Sequence, residues 1–157
     1  MNNLNRPWEN EPNRVEFKYK GYHCLINRVN HRPEENPKDW LGHLCGYVAL
    51  PNGHPFHGKP TEEIDVEVHG GLTYARKCEG EICHVPKDGE DDNVFWIGFD
   101  CAHFGDLIPG IYEMRQPGGI LHDIHMAYGE RSHEKYKSIA FVKNEIRNLV
   151  KQLEKAA

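Results

Sequence analysis

Residues 94–106, VFWIGFDCAHFGD, limit what this chain can become more than any other stretch, because an unbroken apolar run there ends in groups able to do chemistry. Residues 94–99 follow the turn-forming 89–93 and are apolar on both alternating faces. That pattern predicts the central strand of a sheet covered on both sides. Asp100, His103 and Asp106 then arrive within seven positions. A carboxylate at the end of a buried strand is costly unless it is paired, hydrogen-bonded or wet, so Asp100 needs a definite partner. The turn after this strand is the first candidate site.

The remaining strands are read from alternation. Val15, Phe17 and Tyr19, then Cys24, Ile26 and Val29, flank Lys20-Gly21 and predict a hairpin with one buried face. Pro33 and Pro37 place a loop over 31–39, with one helical turn over 36–40 and Trp40 pinning it to the core. Residues 44–50 form the next strand, and 51–60, with three prolines and two glycines, form an irregular loop. His54 and Lys59 in that loop serve either a rigid turn or a wall of the site, where Lys59 would meet an anionic group.

Residues 64–74 alternate strictly, with Ile64, Val66 and Val68 on one face and Asp65, Glu67 and His69 on the other. A strand with a solvated acidic face is one reading. The other uses Gly70 and Gly71, which mark a place where a backbone or ligand comes close, with His69, Thr73 and Tyr74 as ligand-binding groups. His69, Asp100 and His103 are then the candidate catalytic residues, and Asp106 joins the ligand site. Cys78, Cys83, His84, Cys101 and His103 supply the ligand types of a zinc site without a paired CxxC. A Cys78–Cys83 disulfide or ordinary packed thiols are the alternatives. Cys101 shares the alternation of Phe95, Ile97 and Phe99, which points it at the core rather than at His103 as a nucleophile.

Toward the end, 107–111 closes against the core and 116–129 is a lid or surface loop. Residues 132–155 predict the one clear helix, with Ser132 as its cap and an apolar stripe through Tyr136, Ile139, Ile146, Leu149, Val150 and Leu153. It packs across the sheet or zips to a second copy. Residues 1–13 lack apolar periodicity and predict a flexible arm docking only through Trp8, before a single domain over 14–157.

With 157 residues the chain can bury a real core, and its net charge of −5, without a basic stripe, argues against a nucleic-acid polymer as partner. Neither a signal peptide nor a long apolar run is evident, so a cytoplasmic protein with no membrane partner is expected. Five cysteines is an odd count that favours reduced thiols, and eleven histidines favour a metal or proton-transfer site.

The segments GYVALPNGHPFHGK (46–59), VHGGLTYA (68–75) and VFWIGFDCAHFGD (94–106), followed by the C-terminal helix, resemble a family of small proteins encoded by bacteriophages and prophages. The resemblance covers roughly residues 40–155. It implies a phage context and a host cytoplasm, and it transfers no catalytic role. It also makes interference with host defence an expectation, by capture or destruction of nucleotide immune signals.

The expected fold is α+β, a curved antiparallel sheet of about five to seven strands with the C-terminal helix packed on it. No helix-length segment separates the strands, which disfavours parallel βαβ units. Three functions fit this reading: capture of a nucleotide-like small molecule without turnover, a His/Asp hydrolase of such a signal with or without zinc, and a protein-binding inhibitor of a host factor. A homo-oligomer stays open in each.

Overall fold

The computed structural model describes residues 6–30, 41–77, 94–129 and 133–157. Five antiparallel strands, β1 (Arg14–Tyr19), β2 (Tyr22–Asn30), β3 (Leu41–Leu50), β4 (Tyr74–Lys77) and β5 (Phe95–Asp100), lie in the order β1-β2-β3-β5-β4. Three helices follow, α1 (Pro109–Met114), α2 (His122–Tyr128) and α3 (Ile139–Ala156). The chain is α+β, with α3 packed on the sheet. The β1–β2 hairpin turns at Lys20 and Gly21, both at positive φ (50° and 83°), the backbone a two-residue turn between twisted strands requires.

The period-2 rule explains why the central strands read as continuous apolar runs. Val48, Leu50, Phe95, Ile97 and Phe99 meet Val142, Ile146, Leu149, Val150 and Leu153 of α3. On the other face Leu25, Cys45, Tyr47, Ala49 and Trp96 form a second buried cluster. Two glycines seat two aromatic rings across the β3–β5 pair. A Cβ on Gly46 would lie 2.7 Å from the Phe99 ring, and one on Gly98 would lie 2.4 Å from the Tyr47 ring. Since Gly46 pairs with Phe99 and Tyr47 with Gly98, each ring lies over the glycine opposite it, one on each face.

Several sequence expectations are corrected. The alternation expected over 64–74 holds in burial only over 64–68, which pair with no strand, and only Thr73 and β4 reach the ladder. The side-chain amide of Gln152 on α3 takes the place of a strand partner, accepting from the Glu67 N–H at 2.7 Å and donating to the Glu67 carbonyl at 2.8 Å. The C-terminal helix begins at Ile139, where the Ser138 hydroxyl caps the Phe141 N–H, rather than near Ser132. Tyr136 precedes it and bonds elsewhere. The 107–111 and 116–129 connections contain α1 and α2. The helical turn expected over 36–40, Trp40, and Ser132 itself lie outside the described residues.

Residues 6–13, expected to dock only through Trp8, make contacts through several side chains. Trp8 is buried, edge-on to Tyr112 and Tyr136 at 5.5 and 5.0 Å between centroids. Arg28, with a fully buried side chain, binds Asn13, Glu11, the Gly42 carbonyl and the Tyr136 hydroxyl. Glu11 in turn accepts from the Tyr136 hydroxyl and, at 2.7 Å, from the Ile139 N–H at the start of α3. A buried guanidinium demands such partners, and composition alone does not reveal them.

Candidate functional site

The site is built from the turn that ends β5. Asp100 accepts the Ala102 N–H at 3.1 Å, and the turn closes through Asp106 N–H to the His103 carbonyl (2.9 Å) and His103 N–H to Asp106 Oδ2 (3.0 Å). Two further segments converge on Asp106. Lys135 pairs with the turn through backbone bonds to Gly105 and Leu107, which brings Lys137 Nζ to 3.3 Å from Asp106 Oδ1. From the other side His69 Nε2 lies 2.8 and 3.1 Å from the two carboxylate oxygens. The His69 ring stands edge-on against Phe141 at the start of α3, 5.2 Å between centroids.

Asp106 is buried, which alone would push its carboxyl up. Hydrogen bonds from His69, the His103 N–H and Lys137 outweigh that penalty together and hold it below the ordinary aspartate range. An ionised carboxylate only accepts, so neutral His69 carries its proton on Nε2 and presents the Nδ1 lone pair as its basic atom. His103 sits beside it, 5.7 Å between ring centroids, with Nε2 at 3.2 Å from Asp100 Oδ1. That is ion-pair distance, but the atoms are out of line for a hydrogen bond, and the buried Nε2 has no aligned partner. The two histidine side chains remain 21% and 31% exposed, so both can be reached.

Gly70 makes this arrangement possible. It lies at φ +68°, and a Cβ there would fall 2.1 Å from His103 Nε2. The close approach is at Gly70 alone and is made by the His103 imidazole, not by the backbone or ligand expected, while the space beside Gly71 is open. Gly70→Val therefore has no room unless the His103 ring moves, and it also strains the backbone. We expect this variant to melt several degrees lower and to lose function together. Wild-type values for both would remove Gly70 from the site.

Of the residues expected to bind ligand, the structure brings together His69, Gly70, Asp100, His103 and Asp106, with Gly71 completing the tight turn through its N–H bond to Val68. It separates the others. The 51–60 loop follows Leu50, which pairs with Phe95, whereas the histidine pair lies beyond Asp100. These are opposite ends of β5, about 17 Å apart at ~3.4 Å per residue. Lys59 is exposed there, and His54 is buried, accepting the Phe56 N–H at Nδ1 (3.0 Å) and donating from Nε2 to the Leu153 carbonyl (2.9 Å). Its role is structural. His54→Ala should cost about 2 kcal/mol, by leaving both backbone groups unpaired, and should leave any activity at the histidine pair unchanged. Chemical denaturation and an activity assay on the same preparation check this. Thr73 extends the β4 ladder by donating to the Gly98 carbonyl, and Tyr74 packs against Tyr47 on the sheet face away from α3.

Cys101 is buried, and burial pushes its thiol far up, so it cannot supply the thiolate a nucleophile needs. Cys24 and Cys45 are likewise buried and pushed up, to about 12 and about 11. Among the described residues no three His, Cys, Asp or Glu side chains are placed to hold a metal ion; Cys78, Cys83 and His84 lie outside those residues. No described helix is long and apolar enough to cross a membrane.

Sequence reasoning missed Lys137 and Phe141, and it did not pair His69 with Asp106. A lysine and an aromatic near a helix start carry no signal of their own. Only the parallel contact of Asp106 with Lys135 brings them to the site. No family model, curated protein or solved structure matches this chain.

Proposed function

We propose that the paired histidines form an acid–base site that hydrolyses a small phosphodiester. The carrying observation is that His69 and His103 lie side by side and partly exposed, each against its own aspartate. Ester hydrolysis needs one proton taken and one given, and two adjacent imidazoles can do both. In the proposed step water loses a proton to His69 Nδ1 as its oxygen bonds to phosphorus. The bond from phosphorus to the leaving oxygen breaks, and that oxygen takes a proton from His103 Nδ1, the ring nitrogen that is not buried against Asp100. Asp106 fixes the His69 tautomer and ring, and Asp100 stands against the proton-carrying His103. The resemblance to phage proteins supports a nucleotide immune signal as the class of diester.

Capture of the same ligand without turnover is the second reading. It is favoured by Lys137, which is tied to Asp106 rather than turned outward to neutralise charge developing on phosphorus. The two separate on one experiment. Purified protein is incubated with cyclic dinucleotides and with bis(p-nitrophenyl) phosphate, and the products are followed by mass spectrometry and absorbance. Catalytic release of product supports hydrolysis, whereas stoichiometric retention of an intact nucleotide replaces it with capture.

A further inference from the structure

Phe104 follows His103 directly and is 93% exposed, which burial of apolar surface does not explain. Its ring lies flat against His133, 5.0 Å between centroids and 20° between planes. The Phe104 ring stands on a hydrogen-bonded turn, and the His133 ring two residues before a segment bonded to it. Phe104 belongs to the turn closed by His103 and Asp106, and His133 precedes Lys135, which is bonded to that turn on both sides. Lys135 is exposed beside them. A planar ring pair with an open outer face, a nearby ammonium group and an adjacent acid–base pair are the parts of a nucleotide site. The ring takes a base by stacking, and the cation takes a phosphate.

We infer that the Phe104–His133 pair is the base-stacking shelf of this site, so that the ester held at His69 and His103 belongs to a free nucleotide. This rests on the paired-histidine reading for the position of the phosphate. Phe104 and His103 are consecutive, with Cα atoms about 3.8 Å apart, so the shelf adjoins the histidine pair. The net charge of −5 disfavours a polyanion, whereas a single nucleotide or cyclic dinucleotide needs only a few positive groups.

Calorimetric titration of the whole chain with cyclic di-AMP, ribose 5-phosphate and a single-stranded oligoadenylate tests the inference. The wild type is compared with Phe104→Ala and Phe104→Trp. Because the ring is exposed, neither substitution should shift the melting temperature, and melting curves verify that the variants fold. Phe104→Ala should weaken cyclic di-AMP about tenfold or more, the usual loss when a stacking ring is removed, while Phe104→Trp retains it. Ribose 5-phosphate should bind all three proteins alike. Equal affinity of cyclic di-AMP for wild type and Phe104→Ala overturns the shelf, as does failure of cyclic di-AMP to bind, or affinity that grows with oligoadenylate length. The two readings fail separately. Stacking-dependent binding without product keeps the shelf and removes hydrolysis, whereas cleavage of bis(p-nitrophenyl) phosphate with Phe104-independent nucleotide binding does the reverse.

Discussion

If the proposed hydrolysis holds, His103→Gln should lower phosphodiester turnover by about 10²–10⁴-fold, the usual loss on removing a general acid, while the melting temperature changes little. Glutamine approximates the size of the imidazole but carries no proton to the leaving oxygen. Asp100→Asn is the sharper companion. The amide oxygen can still accept the Ala102 N–H that Asp100 holds at 3.1 Å, so the turn survives, but the negative charge 3.2 Å from His103 Nε2 is gone. Activity should fall far more than stability, whose loss should be on the order of 1 kcal/mol or less. Wild-type turnover should depend on pH, because both histidines exchange protons in the proposed step. A flat profile, with full turnover in both variants, would take the chemistry away from this turn.

The legible part of the fold was the part that period-2 and 3.6-residue patterns govern. β5 announces itself because both its faces are buried, and the β1–β2 hairpin because Lys20-Gly21 sits between alternating residues. Alternation over 64–68 misleads because it reports burial rather than pairing. Those residues lie along α3, where Gln152 stands in for a neighbouring strand. Ser132 and Ser138 offer the same capping chemistry. The choice falls to Ser138 because Tyr136 is committed to Glu11 and Arg28 before the helix can begin.

The site was legible by location and not by wiring. Asp100, His103 and Asp106 fall within one turn, and Gly70 flags a close approach, so their residue types were visible locally. The pairing of His69 with Asp106, 37 residues apart, depends on how the loop after β5 meets α3. The same topology sends His54 to the far end of the sheet, although its glycine- and proline-rich loop looked equally functional.

Asp106→Asn should be the most damaging isosteric change in the molecule, because no orientation of an amide satisfies the groups around it. Oδ2 accepts from His69 and the His103 N–H, and Oδ1 faces Lys137. An amide nitrogen at the first position meets the His103 N–H, and at the second it meets an ammonium, so two donors confront each other either way. Breaking such a buried ionic contact costs on the order of 3 kcal/mol. It also releases His69, so turnover falls with stability. The pH dependence identifies the cause. The carboxyl is held below its ordinary value in the folded chain, so its contribution is fully present above about pH 4, the unfolded value, and is lost as pH falls through the lower folded value. Urea midpoints of wild type and Asp106→Asn should therefore differ by their full amount above about pH 4 and converge as the pH falls further below it. A constant gap across that range would show that Asp106 serves as a shape in the core and not as a charge.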